Sequence, residues 1–382
     1  MPFDPAKPYN DLPDLPPKAE IETVAILKQS IKTRHALAQL NAAIQNLPNP
    51  DVLIMPISLQ EARDSSAIEN IVTTDDALFR QSELPGEPKD PAVKEALRYR
   101  TALYDAYSKL RKRPVGANTA IEICRTLTGI DIDVRAVPGT TLRNIGTGET
   151  IYTPPIGQDR IRTKLSNWEK FIHEETNIDA LVRIAVQHYQ FEAIHPFFDG
   201  NGRTGRILNV LLLLELGILD KPVIYQCRSI LATRDLYYKK LHGVTAQGAW
   251  LPWIEYYLLT LEDSAQKSAM KSFRIQMLIN STEKLLHSKG SKLPSKELID
   301  FLFGRPYCRI GELVDAGLAK RQTAASYLNS LSALGVLEEI RSGREKIFVH
   351  KKFLELLTTD GLGVTKYPDS DDGPSELLFA ID

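Results

Sequence analysis

The chain has 382 residues, 43% apolar and 25% charged, an ordinary balance for a soluble protein of two or three domains. Forty-seven Lys and Arg against forty-eight Asp and Glu leave a formal net charge of −1, which excludes a whole-chain electrostatic pull toward nucleic acid or an anionic membrane. Cys124, Cys227 and Cys308 lie far apart and in no CxxC pair, so a disulfide framework and a structural zinc site are not expected, and a reducing cytoplasm is the expected compartment. The N-terminus carries prolines at positions 2, 5, 8, 13, 16 and 17 in place of a basic stretch and an apolar run, which reads as an extended arm and not as a secretory signal. The most apolar stretch, Ile207 to Leu219, holds Asn209 and Glu215 and falls short of the roughly 20 residues that span a bilayer, so no membrane contact is expected.

In chain order, Ile21, Val24, Leu27 and Ile31 recur three and four apart, and the spacing predicts a helix that buries this face and runs toward Leu47, ended by Pro48 and Pro50. A second helix is expected from about Ser58 to Glu69 and a third from Pro91 to Lys112, with Val93, Leu97 and Leu103 inward. Over residues 136–155, Gly139, Gly146 and Gly148 punctuate alternating segments, and Ile151-Tyr152-Thr153 meets Pro154-Pro155, a pattern for a short hairpin flap. Helical periodicity returns from Ile178 to Ile194, breaks at a Gly- and Asn-rich turn, and resumes from Arg203 to Leu216. Beyond Trp253 a long helix is expected through Leu258, Leu261 and Met270 to Leu286, followed by a linker at Ser288-Lys289-Gly290-Ser291. Three short helices at 297–303, 310–316 and 320–334, then a hairpin formed by Val336 to Ile340, Ser342-Gly343 and Ile347 to Val349, make a winged-helix pattern. Residues 288–352 hold twelve Lys and Arg and seven Asp and Glu, and the last twenty residues read as a loose tail. The expected fold is mainly α, divided as a helical N-terminal region (1–112), a core with the β flap (113–265), a connecting helix and linker (266–290), a winged helix (291–355) and a tail (356–382).

The turn between the two central helices reads His195-Pro196-Phe197-Phe198-Asp199-Gly200-Asn201-Gly202-Arg203-Thr204-Gly205-Arg206. Glycines let a backbone approach a ligand closely and present N–H groups in a concave nest, and the helix starting near Arg203 aims its positive end at the same spot. Asn201 adds an amide donor, and Arg203 with Arg206, three apart on the first turn, adds two guanidinium groups for several phosphate oxygens. Asp199 offers a hard carboxylate beside those phosphates, suited to Mg2+, and His195 has the basicity to take a proton from a hydroxyl. Phosphoryl or nucleotidyl transfer is the expected chemistry.

This run resembles the signature of the Fic family, HPFx[DE]GNGRxxR, at every defined position, and the flap and the later Arg234-Asp235-Leu236-Tyr237-Tyr238 extend the resemblance over residues 15–265. The resemblance implies transfer of AMP from ATP to a Ser, Thr or Tyr hydroxyl of a target protein. His195 would be the general base, Asp199 would bind Mg2+, and Gly200, Asn201, Gly202, Arg203, Thr204, Gly205 and Arg206 would hold the phosphates. Tyr237 and Tyr238 would border the nucleoside, with Thr245 where many relatives carry Asn, and the flap would align the target segment by strand addition. Ser65, Glu69 and Asn70 match a second family motif, [ST]xxxE[GN], in which the glutamate pairs with the second arginine, here Arg206, and blocks the γ-phosphate position. Self-inhibition within one chain follows, along with self-modification and a possible homodimer.

Other readings stand beside these. His188, Glu192 and His195 recur at i, i+4 and i+7, the spacing of a transition-metal site, although a buried His188–Glu192 hydrogen-bonded pair supporting the loop is the favoured reading of the first two. Tyr237 and Tyr238 suit packing as well as they suit a nucleotide. The basic C-terminal unit fits DNA backbone contact, but protein contact is the preferred use. A site that only senses ATP in a DNA-binding regulator, or one that transfers another phosphate-containing group, keeps the same residues.

Overall fold

The computed structural model describes residues 3–47, 49–82, 88, 90–143, 146–288, 295–342, 345–359 and 367. Its chain divides into two units, Met1–Ala43 with Ile57–Ala269, and Ile44–Pro56 with Met270–Asp382. Both are built mainly from helices, as expected.

In the first unit the helices are α1 (Val24–Gln45), α2 (Ile54–Ile68), α3 (Asp75–Ser82), α4 (Pro91–Lys109), α5 (Ala117–Thr128), α6 (Gln158–Glu174), α7 (Ala180–Ile194), α8 (Asn201–Glu215), α9 (Gln226–Ala232), α10 (Arg234–Gln247) and the first half of α11 (Trp250–Ser288). Helices α7 and α8 are buried on nearly every side, which for α8 matches a sequence apolar all round over Ile207 to Leu213 save for Asn209. They pack on each other, with α6 against α7 and α5 against α8. Asp179 starts α7 by accepting from the N–H groups of Leu181 (3.0 Å) and Val182 (3.3 Å). The same carboxylate fastens α1 through Ser30 Oγ at 2.6 Å and Arg34 at 3.0 Å.

That anchoring overturns the expected face of α1. Val24 and Ile31 are 70% and 68% exposed, and the helix instead buries Ile26, Leu37 and Leu40 with Ser30 and Thr33. Ser30 binds Asp179, and Thr33 Oγ1 donates to the carbonyl of Leu258 at 3.1 Å, so two hydroxyls with partners rotate the apolar stripe outward. Helix α4 begins as its sequence requires, with Asp90 capping the Ala92 N–H at 2.9 Å and Pro91 in the first turn. It stops at Lys109, and Leu97 is only half-buried, whereas Tyr99 is fully buried.

Strands β1 (Leu142–Arg143) and β2 (Thr150–Tyr152) form the flap, antiparallel, with Leu142 opposite Tyr152 and Arg143 opposite Thr150. Helices α3, α5, α6, α9 and α10 have no counterpart among the expected elements, although Ile161, Leu165, Trp168 and Ile172 of α6 carry a clear helical spacing.

The second unit holds a 3-10 helix (Pro50–Leu53), the rest of α11, and α12 (Ser295–Phe303), β3 (Tyr307–Cys308), α13 (Ile310–Asp315), α14 (Arg321–Ala333), β4 (Glu338–Ser342), β5 (Glu345–Val349) and α15 (Lys351–Thr358). The antiparallel sheet runs β3-β5-β4, with Tyr307 opposite Val349 and Ile340 opposite Ile347. The three short helices and the hairpin fall where expected; β3 and α15 are additions, and α15 takes residues 356–358 out of the expected tail. Pro48, Lys289, Gly290, Ser291, Gly343 and nearly all of the tail lie outside the described residues. Among the described residues no helix is long and apolar enough to cross a membrane.

Candidate active site

Helix α7 ends in His195, whose backbone is left-handed at φ 48° and whose N–H closes on the carbonyl of Phe191 at 3.0 Å. Few side chains other than Gly and Asn adopt this conformation, and such strain persists only where neighbours enforce it. Arg135 supplies part of the enforcement: its Nε donates to the His195 carbonyl at 2.8 Å and its backbone N–H to the Pro196 carbonyl at 2.9 Å. Gly200, at φ 78°, precedes α8 and takes the same left-handed geometry that its lack of a side chain permits. The Asn201 side chain spans the loop, accepting from the Phe197 N–H and donating to the Phe197 carbonyl, both at 2.8 Å. The amide expected to face a ligand therefore braces the turn. Burial, with the nearby Arg135 guanidinium adding to it, pushes the basicity of His195 down to about 4. Its Nδ1 has no hydrogen-bond partner among the described residues, so at neutral pH the ring is uncharged and able to accept a proton.

Arg203 and Arg206 are each only 2% exposed. The carboxylate of Glu69, just past the end of α2, bridges them: Arg203 Nε donates to Oε2 at 2.9 Å and Arg206 Nη2 to Oε1 at 2.8 Å. Arg206 also donates to Ser65 Oγ and to the Ser65 carbonyl, both at 2.8 Å. Arg203 further reaches Asp199 Oδ1 at 3.0 Å and makes an ion pair with Glu95 of α4. The resemblance placed Glu69 on Arg206 alone; the carboxylate engages both arginines. Gly202 explains itself here, because a Cβ on it would lie 2.5 Å from Glu69 Oε1 and 2.8 Å from Arg206 Nη1. A Cβ on Gly205 would meet Glu192 Oε1 at 2.5 Å, so this glycine allows α7 and α8 to touch. Asn70 is left-handed at φ 67°, which gives the last position of the [ST]xxxE[GN] motif a physical reason to be Gly or Asn, and its Oδ1 accepts from Arg234 at 2.8 Å.

A cavity of about 770 Å³ opens beside this cluster, lined by His195, Glu69, Arg234, Tyr238 and Thr245 and by Leu142, Arg143 and Ile151 of the flap. With Glu69 in place neither arginine lines it, and Thr204 is fully buried. The two tyrosines separate. Tyr238 is 42% exposed and lines the cavity, while Tyr237 is 2% exposed, packs on Trp253 and Tyr256, and bonds His188 Nε2 at 2.9 Å. Successive residues on a helix point about 100° apart, so only one of the pair can face the cavity. His188 therefore pairs with Tyr237 and not with Glu192; its Nδ1 and Glu192 Oε1 lack partners among the described residues. No group of three or more His, Cys, Asp or Glu able to hold a metal occurs among the described residues.

Three family models match in chain order: the Fic/DOC N-terminal family over residues 27–108, the Fic/DOC family over 114–213, and the C-terminal domain of SoFic-like protein adenylyltransferases over 278–353. The chain carries Fic/DOC N-terminal and Fic/DOC domains followed by a SoFic-like C-terminal domain. It is 33% identical over 147 residues to protein adenylyltransferase fic-1 of Caenorhabditis elegans, which covers 37% of this chain and 26% of that one. A probable protein adenylyltransferase of Aquifex aeolicus (strain VF5) is 42% identical over 72 residues, 18% of this chain and 21% of that one. The chain thus spans about a quarter of the curated relatives it matches. A crystal structure of a Fic family protein from Desulfovibrio desulfuricans G20 shares the fold, with a TM-score of 0.57 at 22% identity over 87% of this chain and 98% of that one.

Within the Fic/DOC framework, Glu95, Arg135 and Arg234 are site residues that the sequence reading passed over. Glu95 stands 108 positions from Arg203 and Arg135 stands 60 from His195, so no local spacing signals either. Arg234 was noted only as part of the run that contains Tyr237 and Tyr238, and its contact with Asn70 spans 164 positions.

Proposed function

We propose that this protein transfers AMP from ATP to a Ser, Thr or Tyr hydroxyl of a target protein and that Glu69 holds the site inhibited. The observation that carries this reading is a single carboxylate bridging two buried arginines at the start of α8, on the loop that ends in an uncharged, proton-accepting His195. Guanidinium forks that bind a carboxylate bind phosphate oxygens by the same geometry, so Glu69 stands where an ATP phosphate is needed. With Glu69 displaced, Arg203 and Arg206 would hold the terminal phosphates. His195 would take the proton of the incoming hydroxyl, whose oxygen bonds to the α-phosphorus as pyrophosphate leaves. The exposed edge of the flap, with Ile151 at the cavity, is suited to align an extended target segment.

Mg2+ fits the residues present. The Asp199 side chain is 76% exposed, and its Oδ1 accepts from the Gly200 N–H at 2.7 Å and from Arg203. An exposed carboxylate next to a phosphate site is the usual protein share of Mg2+ binding, which relies on few protein ligands. When bound, the ion would neutralise charge on the phosphates.

The test is incubation of the purified chain with ATP labelled on either the α- or the γ-phosphate, in the presence of Mg2+ and a host lysate. Label from the α-position should enter protein and label from the γ-position should not; the reverse would replace nucleotidyl transfer with phosphoryl transfer. In the same assay Asp199→Ala should lose most activity together with its response to added Mg2+. Unchanged Mg2+ titration would move the metal to another residue.

The C-terminal unit is read as a protein-contact module. Several of its cations are neutralised within the unit, Lys346 by Glu339 at 2.9 Å, Arg309 by Glu312 at 3.1 Å and Lys351 by Glu338, which weakens the field that nucleic acid would need. Retardation of duplex DNA by the purified chain would reverse this reading.

A further inference from the structure

Arg135 lies between α5 and the flap, in a stretch with no motif, yet it is 2% exposed. Among the described residues every acceptor its side chain reaches is a main-chain carbonyl: His195 at 2.8 Å, Ile194 at 3.4 Å, and Pro155 at the foot of β2. Its own N–H donates to the Pro196 carbonyl, and Tyr152 Oη, on β2, donates to the Ala193 carbonyl at 2.6 Å. Four consecutive carbonyls, from Ala193 to Pro196, thus receive donors from the segment that carries the flap. The last carbonyls of a helix have no partner within it, and they form its negative end, so a guanidinium with five donors both satisfies and neutralises them.

We infer that Arg135 is a positioning residue that locks the target-aligning flap to the backbone of His195, so that one side chain sets the distance between the aligned target hydroxyl and the general base. The inference deepens the proposed AMP transfer and rests on it. A target segment paired with β1 or β2 takes its register from the flap, while the proton acceptor takes its position from the left-handed cap of α7. Unless these move as one body, alignment on the flap does not deliver the hydroxyl to His195. The anion site is built separately, from α8 and Glu69, and does not include Arg135.

This separation defines the experiment. Kinetics are measured in the Glu69→Gly background, with the His195→Ala form of the full chain as acceptor because it cannot modify itself. Arg135→Met should raise KM for the acceptor roughly tenfold and lower kcat by about 10- to 100-fold, a misplacement effect, with KM for ATP held within about twofold. Arg135→Lys keeps the charge but cannot span two carbonyls, so it should fall between. Tyr152→Phe removes one hydroxyl from the same tie and should raise KM for the acceptor about two- to fivefold. Hydrogen exchange gives a readout independent of activity: amides of residues 150–153 should exchange faster in Arg135→Met and Arg135→Lys, with those of α8 unchanged. If the Arg135 variants lose only their folded fraction, with both KM values and flap exchange unaltered in Arg135→Lys and Tyr152→Phe, the residue merely holds the fold and the inference is wrong. An inactive Glu69→Gly parent whose flap exchange still responds to Arg135 would instead overturn the proposed activity.

Discussion

Replacing His195 with alanine is expected to lower AMP transfer by about 10²- to 10⁴-fold while the chain still folds and still binds ATP. Binding is spared because the groups that would hold phosphate, Arg203 and Arg206, take their positions from α8, Glu69, Glu95 and Ser65, not from the imidazole. Folding is spared because what the fold uses at this position is the backbone: the His195 carbonyl receives Arg135, and its N–H closes the last turn of α7. Alanine keeps a Cβ in the left-handed position that histidine already occupies, so the substitution adds little backbone strain and the melting temperature should stay close to that of the parent. The measurement is labelled-AMP incorporation beside an ATP titration by calorimetry. A variant with substantial residual transfer would show that another group takes the proton.

The depressed basicity of His195 also fixes the direction of a pH effect. An imidazole at about 4 in the free protein is uncharged across the neutral range, so acidification from pH 8 to pH 6 should not remove the base. His195 at about 4, and His188 and His350 at about 3, all lie below the ordinary value of 6.5, so the unfolded chain binds protons that the folded chain refuses. Their contribution to stability is therefore present above about pH 6.5 and is lost as pH falls from there through 4 toward 3. Denaturant midpoints taken across that window should fall with pH.

What was legible in the sequence is what contiguous residues determine. The run from His195 to Arg206 announces an anion site at a helix start because glycines, arginines and a carboxylate at those spacings have few other uses together. Its inner geometry was not legible. Asn201 reads as a donor for ligand, but its amide oxygen and nitrogen each bond to Phe197 because a turn this tight leaves backbone groups that need partners. The direction of α1 was misread for a related reason: periodicity counts Val24, Leu27 and Ile31 as inward and cannot know that Ser30 and Thr33 will find Asp179 and the Leu258 carbonyl. The tyrosine pair on α10 could have been split by helical geometry alone, since neighbours on a helix cannot share a face. Glu95 and Arg135 could not have been found, because each acts on a residue that only the packed fold brings near.

Glu69→Gly is expected to increase AMP transfer, to the chain itself and to its targets, by roughly 10- to 100-fold in turnover. The reason begins with how completely Glu69 occupies the anion site. Its two oxygens take one donor from each arginine, at 2.9 and 2.8 Å, so a bound triphosphate meets two guanidinium groups already committed. Removing the carboxylate does not leave them equally free. Arg203 keeps Glu95 and Asp199, whereas Arg206 keeps, among the described residues, the Ser65 hydroxyl and carbonyl as its hydrogen-bond partners. Arg206 thus becomes a buried cation with no hydrogen-bonded anion, although the Glu192 and Glu61 carboxyls still act on it, a state that costs about 3 kcal/mol of stability. Phosphate supplies that anion. ATP should therefore raise the melting temperature of the Glu69→Gly protein more than that of the parent, while the larger change is in turnover, because a γ-phosphate seated on Arg206 orients the α-phosphate for in-line attack. Position 69 lies just past the end of α2, so glycine there adds backbone freedom at the helix end and acts in the same direction. Glu69→Gln separates the two causes. It retains size and helix preference but offers one acceptor oxygen where two are needed and turns an N–H toward the second guanidinium, so it should activate as well, to a smaller degree. The assay is labelled-AMP incorporation over a range of ATP concentrations. If neither variant exceeds the parent at any concentration, the bridge between Arg203 and Arg206 is a structural ion pair, and control of this site must be sought in Glu95 or in the flap.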